Sequence, residues 1–427
     1  MKKINRILSL ALAIIMMMSM FVACGKGASN EDTTGASSET QATDGPATLK
    51  INGVDIGEYT VAYNSQNGGE EAFAYLNQKL EADFGVTLEG STQIGSGYEI
   101  LLGLDGGDAA VADAFAKNPD GIIGVSGEKI ALLGYNTGAL RQTVDCLLAK
   151  AEGSGSAKEI TVTECEAAEI VTDSLKVMSY NILYDMKKEG RPEDCREQIV
   201  ETILSESIDV LGAQEVTEEH HKYLTANLKG YSSGIAAAET MSNYIYWKTD
   251  KFNLIKKGFY YMSDTPAVKS KYSGSNSYRT FSYVILEVKE TGKKFLFVDV
   301  HVDYQAEDSV RAKQLAVITS LLPKINKDNL PIIILGDFNT TGNEVSIPSF
   351  LKANPNIGMT SKLAEKKGNT GGTLVVSQFV EIQKYVFDYI FVTSDTIRTK
   401  YYSVLVNFKG NKAPSDHLPV VAEVVIY

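Results

Sequence analysis

Pro331-Ile332-Ile333-Ile334-Leu335-Gly336-Asp337-Phe338-Asn339 is the stretch on which the reading of this 427-residue chain turns. Its short apolar run predicts a buried strand that ends in two polar groups. Side chains alternate faces along a strand, so Asp337 and Asn339 point the same way. A carboxylate and an amide at the mouth of such a strand suit a hard divalent cation and a phosphate oxygen. Further on, Ser415-Asp416-His417-Leu418-Pro419 sets another carboxylate beside an imidazole able to titrate near neutral pH.

The pattern recurs through the C-terminal part of the chain. Leu175–Ser179 runs into Tyr180-Asn181, Val210–Ala213 into Gln214-Glu215, and Phe295–Val300 into His301. Asp388 opens the run Asp388-Tyr389-Ile390-Phe391-Val392, and Asp416-His417 opens a final apolar strand from Leu418 to Ile426. A lone Asn after a strand is usually a turn residue, and a lone Glu is usually solvated. Taken together, these strand ends predict loops converging on one rim of a sheet, the way a rigid scaffold presents chemistry.

Their order, with Gly336-Asp337-Phe338-Asn339 and Ser415-Asp416-His417, resembles the endonuclease/exonuclease/phosphatase superfamily over about residues 174–427. That superfamily includes deoxyribonuclease I, abasic-site endonucleases, sphingomyelinases and inositol-polyphosphate phosphatases. The resemblance implies an α/β fold, a four-layer α/β/β/α sandwich of the deoxyribonuclease I type. It implies that Asn181 and Glu215 bind metal, with Glu215 the principal Mg2+ ligand, Mn2+ an acceptable substitute and Asp416 a further carboxylate. Asp337 and Asn339 would position the attacking water and hold the phosphate. His417, oriented by Asp388, would act on the phosphoryl group, and His301 would face the phosphate as a second histidine. Arg279, in Tyr278-Arg279-Thr280-Phe281, resembles a phosphate-binding arginine of related secreted members whose sites also carry a segment like Ser263–Pro266. One departure stands out: Asp299-Val300 precedes His301 where the family commonly has Asn-Thr, so Asp299 either pairs with the ring or sits in the core.

The implied activity is hydrolysis of a phosphodiester or phosphomonoester. Phosphoryl transfer asks mainly for positioning and charge neutralisation, which this residue set supplies. A surface nuclease, a sphingomyelinase-like lipid phosphodiesterase and a non-catalytic binding protein are the alternatives. Lys187, Lys188, Arg191 and Arg196, or Lys269, Lys271 and Arg279, could line a groove for nucleic acid, although a solvated face accounts for most of them. The net charge of −12 does not oppose a phosphate substrate, because it is unevenly spread. Residues 174–427 hold 30 Lys+Arg against 29 Asp+Glu, whereas residues 1–173 hold 11 against 24.

At the front, Lys2, Lys3 and Arg6 precede an apolar stretch from Ile7 to Ala23, the layout of a secretory signal. Its end, Phe21-Val22-Ala23-Cys24-Gly25, resembles the bacterial lipoprotein processing box, which implies lipidation of Cys24 and an anchor on the extracytoplasmic face of the cell membrane. Two acyl chains would hold such an anchor stably. Residues 25–46 are rich in Gly, Ser, Thr, Ala, Asp and Glu, the composition of a disordered tether. The remaining cysteines, Cys146, Cys165 and Cys195, form neither a disulfide framework nor a zinc spacing and are expected to be buried thiols, a bridge within one pair being the alternative.

Residues 47–165 predict a small α/β domain. Strands are expected over Glu58–Tyr63 and Tyr98–Leu102, helices over Glu70–Phe84, Ala109–Ala116 and Thr137–Ala151, and a hairpin around Gly127. Tyr98-Glu99-Ile100-Leu101-Leu102-Gly103 and Asp120-Gly121-Ile122-Ile123 resemble the non-catalytic domain that precedes the barrel in some hexosaminidases and glucuronidases. That resemblance implies a carbohydrate-binding or spacer role.

Overall fold

The computed structural model describes residues 47–66, 68–184, 195–234, 242–376, 381–410 and 413–427. Cys24, Lys187, Lys188 and Arg191 lie outside the described residues.

Two sheets face each other in the C-terminal part. The first runs in the order Tyr231–Gly234, Ser242–Lys248, Val210–Val216, Asp173–Asn181, Val420–Ile426, Ile397–Val404, Lys366–Lys367. The second runs Phe252–Tyr261, Thr280–Val288, Lys294–His301, Ile332–Asp337, Asp388–Thr393, Ile357–Met359. Strict alternation builds the layers. Phe295, Phe297, Ile333, Leu335, Ile390 and Val392 join Leu175, Val177 and Val210 in the core between the sheets. Their neighbours Leu296, Val298, Ile334 and Phe391 point outward and pack with Leu315, Ile318 and Leu322 of the helix Asp308–Ile325. On the far side, Met178, Tyr180 and Leu211 pack with Ile199 and Ile203 of the helix Cys195–Ser205. The result is the expected four layers, helix, sheet, sheet, helix.

In each sheet one of those helices joins a parallel pair, Asp173–Asn181 beside Val210–Val216 in the first and Lys294–His301 beside Ile332–Asp337 in the second; Lys366–Lys367 also runs parallel to Ile397–Val404 in the first. Parallel pairing needs a crossover, and it brings both carboxyl ends to one rim. The antiparallel strands that begin with Asp388 and just after His417 start at that same rim.

The front domain has a six-stranded sheet, ordered Gly90–Ser91, Thr60–Tyr63, Glu99–Leu102, Lys129–Gly134, Gly121–Ser126, Glu166–Ala167, with helices Gly69–Phe84, Ala109–Lys117 and Thr137–Ala149. Element types match the sequence reading, with ends shifted by one or two residues. Two side-chain expectations are corrected. Apolar spacing over Glu197–Leu204 predicts a helix with Ile199, Val200, Ile203 and Leu204 on one face, yet Leu204, in the last turn of the helix Cys195–Ser205, is exposed. The three cysteines form no disulfide among the described residues, yet only Cys195 is buried, while Cys146 and Cys165 are half-buried.

Candidate active site

Register places the site residues before any side chain is considered. His301 pairs with Asp337, and Asp337 with Asp388, so the three stand in one row across three adjacent strands. All three share the face that carries Phe297, Leu335 and Ile390, which looks into the seam between the sheets. From the opposite sheet, Asn181, Glu215 and His417 close on them.

Two local devices re-aim the chain. Val210, Gly212 and Gln214 face the seam, so strict alternation would turn Glu215 away from it. A bulge between Ala213 and Val216, with Glu215 at φ +60°, brings its carboxylate back to the mouth. Asn339 likewise adopts φ +48°, a conformation asparagine tolerates better than most residues. Its backbone N–H donates to Asp337 Oδ1 at 2.9 Å and its side-chain amide to the Val302 carbonyl at 3.2 Å.

At the centre, Asn181 Nδ2 donates to Glu215 Oε1 at 3.2 Å and to Asp337 Oδ2 at 3.0 Å, while Asn181 Oδ1 accepts from the Leu183 N–H. Asn181 therefore fixes the two carboxylates relative to each other. The Tyr184 N–H donates to Glu215 Oε2 at 3.0 Å. His417 Nδ1 lies 2.8 Å from Asp388 Oδ2, and its Nε2 lies 3.6 Å from Asp337 Oδ2. Burial alone would depress this imidazole, but Asp388 and Asp337 override it and raise the pKa well above the usual value. His417 is thus an imidazolium with both N–H groups aimed at carboxylates.

The second histidine behaves oppositely. Arg279 Nη1 donates to His301 Nδ1 at 3.1 Å, leaving the His301 Nε2–H directed toward Asp337 Oδ2, 3.4 Å away, and Glu215 Oε1, 4.0 Å away. Burial, then the Arg279 and His417 charges, push His301 far below the ordinary range, so it is neutral. Burial pushes the Asp337 carboxyl up to about 7, with Asp388 adding to the rise and His417 opposing it. Arg279 itself is buried, and its Nε has no hydrogen-bond partner among the described residues. A guanidinium held this way, without a carboxylate clamped to it, is suited to an anion.

Glu215 Oε1 and Asp337 Oδ2 both accept from Asn181 Nδ2, and the Glu215 carboxylate is a hard oxygen donor that fits a Mg2+-sized cation. The oxygens of Asp337 and Asp388 and a nitrogen of His417 also lie within 4.8 Å of one another. There His417 Nδ1 is already engaged by Asp388 Oδ2, a hydrogen-bonded relay, while Asp388 Oδ1 has no hydrogen-bond partner among the described residues. The carbonyl of Asp416 accepts from the Val375 N–H and its Oδ1 lies 3.4 Å from Ser415 Oγ; none of its described side-chain contacts is to Glu215.

Several supporting residues escaped the sequence reading. Ser415 Oγ donates to the Asn181 carbonyl at 2.6 Å and accepts from the His417 N–H, tying the His417 loop to the neighbouring strand of its own sheet at the rim. Thr373 Oγ1 accepts from the Asp388 N–H. Asp303, fully buried, accepts from Ser275 Oγ at 2.6 Å and from the N–H groups of Asn276 and Ser277 at 2.7 and 2.9 Å, clamping the loop that leads to Arg279. Asp303 stands two residues after His301, the one spacing signal that could have revealed it. Asp299 turns into the seam and accepts from Gln214 Nε2 at 2.6 Å; it does not touch the His301 ring among the described contacts. Arg196, a candidate groove residue, is paired with Glu219 at 2.8 Å.

The model of the Endonuclease/Exonuclease/phosphatase family matches residues 178–417. A crystal structure of a protein of that family from Bacteroides thetaiotaomicron is similar, with 26% identity and a TM-score of 0.55, over 60% of this chain and 96% of that one. The mannosyl-6-phosphatase of the same organism is 25% identical with a TM-score of 0.54, over 58% of this chain and 99% of that one. A family structure from Bacteroides vulgatus shares the fold at 20% identity and a TM-score of 0.55, over 60% and 100% of the two chains. No curated protein sequence matches the chain.

Proposed function

The chain belongs to the endonuclease/exonuclease/phosphatase family, whose members are generally hydrolases of phosphate esters, and from that premise we propose that it is a divalent-metal-dependent phosphoesterase working outside the cytoplasm from a lipid anchor at Cys24. The observation that carries the reading is the row His301–Asp337–Asp388 facing Asn181, Glu215 and His417 across the seam.

Asn181 and Glu215 would hold Mg2+ or Mn2+, with Asp416 as the further carboxylate. When bound, the ion supplies Lewis acidity toward a phosphoryl oxygen. The chain's own groups divide the rest. Arg279 and the His301 Nε2–H bind the phosphate from one side, and the His417 imidazolium neutralises it from the other. Asp337, helped by Asn339, orients the attacking water and takes its proton as the new P–O bond forms and the ester P–O bond breaks. Asp388 keeps His417 charged and oriented.

A phosphomonoester is the favoured substrate. The similar structure named a mannosyl-6-phosphatase supports it, as does the near-neutral charge of residues 174–427. A duplex ligand calls for many unpaired lysines and arginines, and the groove candidate Arg196 is bound to Glu219 at 2.8 Å.

Purified protein is expected to hydrolyse nitrophenyl phosphate with Mg2+, to stop when EDTA is added and to recover with excess Mg2+. Asp337→Ala and His417→Ala should each lose about 10²–10⁴-fold in kcat; unchanged turnover in both would overturn the assignment. Glu215→Gln is expected to raise the Mg2+ concentration needed at least about tenfold, read by calorimetric titration of the metal. Cys24→Ser should abolish radiolabelled palmitate incorporation and release the protein from the cell pellet.

A further inference from the structure

The phosphate-binding groups lie deep. Arg279, His301 and Asp337 are 7%, 3% and 1% exposed. Only a phosphate carried on a slim arm reaches them, and the organic part of the ester is left at the rim. That rim carries exposed tyrosines on four separate loops, each within three residues of a site group. Tyr184 follows Asn181 and Tyr278 precedes Arg279; Tyr304 follows His301 and Tyr385 precedes Asp388. Tyr304 is the most exposed of the four, at 58%. Exposed tyrosines scattered singly are ordinary. One on each of four loops that reach a single site is not.

What these rings offer is decided by what covers them. Lys269 and Lys271 sit over Tyr278, 4.9 and 5.6 Å from its centroid. Tyr385 stacks on Phe387 with centroids 6.0 Å apart and has Lys384 at 5.7 Å. With faces of Tyr278 and Tyr385 engaged by ammonium groups and another ring, these two present phenol hydroxyls and lysine nitrogens rather than bare π-faces. A nucleobase asks for an open stacking face, and a nucleic-acid strand asks in addition for a continuous basic track. A hydroxyl-rich ring asks for dense donors and acceptors on rigid arms, which tyrosine supplies at low entropic cost.

Building on the phosphoesterase reading above, we infer that Tyr184, Tyr278, Tyr304 and Tyr385 form a sugar subsite. The substrate class is then a sugar bearing a primary, exocyclic phosphate, whose CH2–O arm enters the recess while the ring rests among the hydroxyls. Asp303 is the positioning residue for one wall, because it ties the Ser275–Ser277 turn before Tyr278-Arg279 to its own neighbour Tyr304.

The test is a comparison of kcat/KM, in the full-length protein with Mg2+, for hexose 6-phosphates, hexose 1-phosphates, glycerol phosphate and nucleoside 5′-monophosphates. Hexose 6-phosphates should exceed glycerol phosphate by at least about tenfold, the size of gain a few matched contacts give. Tyr278→Phe and Tyr304→Phe, which keep the ring and lose only the hydroxyl, should lower that selectivity ratio several-fold each through KM. The distant exposed Leu254→Ala should leave the ratio in place. Activity on glycerol phosphate with no preference for hexose 6-phosphates overturns the sugar subsite and leaves the phosphoesterase reading intact. A preference for nucleotides does the same, as does a ratio indifferent to both tyrosine variants. Inactivity of the Mg2+-loaded protein on every ester overturns the phosphoesterase reading and the subsite with it.

Discussion

At the residue scale, the site gains its chemistry at the expense of stability. Asp337 is buried, and its carboxyl is pushed up to about 7 by that burial. A carboxyl raised in the fold contributes fully only below its unfolded value, and the contribution is lost as pH rises through the folded one. Asp337→Asn is therefore expected to abolish turnover while raising the melting temperature above pH 7, with the gain vanishing near pH 4. Thermal melts across that range check it. Asp299 makes the same point without catalysis. Fully buried, it is held neutral by desolvation, against the lowering effect of Gln214 and the Val300 N–H. Its Oδ2 and the Oε1 of Gln214 lack partners among the described residues. Asp299→Asn, which restores the residue type common before this histidine in the family, should stabilise the protein by about 1–3 kcal/mol at pH 8 and by less at pH 4. Urea unfolding at the two pH values measures this.

At the scale of elements, the strand Ile332–Asp337 depends on one glycine. Gly336 has φ +146°, and a Cβ there would stand 1.9 Å from the Val300 carbonyl of the adjacent parallel strand. That contact is backbone and has nowhere to go. Gly336→Ala is expected to cost more than about 2 kcal/mol, read from the urea midpoint, and to displace Asp337 from the row it shares with His301 and Asp388. Gly212 on the facing sheet is similarly bound, since a Cβ would meet Leu335 Cδ1 at 2.2 Å. These two glycines let the sheets close at the level just beneath the site.

Across the whole molecule, the described residues from 47 on fall in one compact unit, and the six-stranded N-terminal sheet with its helices is pinned to the C-terminal sheets by a specific knot. Arg398, 6% exposed, donates to Asp120 Oδ1 at 2.6 Å, pairs also with Glu365, and lies 4.3 Å over the ring of Tyr135. Tyr427 donates its hydroxyl to the same Asp120 oxygen at 2.6 Å and stacks on Tyr135. The Gly138 N–H donates to the Asp395 carbonyl at 2.8 Å. Interfaces between domains of one chain are often mobile, but a shielded arginine with two carboxylates and a ring favours a fixed geometry. Arg398→Met should cost about 1–3 kcal/mol and split one calorimetric transition into two, while kcat on nitrophenyl phosphate stays unchanged. A single transition at the original temperature would show that the knot does not couple the domains.

Much of this was legible beforehand, for a physical reason. Alternation along a strand and polar groups at its end are local properties, so Asp337, Asn339, His301, Asp388 and His417 could be picked out, and the four-layer fold followed from their order. What no local pattern carries is pairing between distant segments. The row His301–Asp337–Asp388 is a matter of register, and the opposite charge states of the two histidines follow from which neighbour each imidazole meets in the seam. The bulge that turns Glu215 inward and the Asp303 clamp arise only when loops far apart in the chain are packed together. Sequence determined the parts and their faces; tertiary structure decided which part charges, holds or excludes which, because burial and proximity exist only once the sheets have closed.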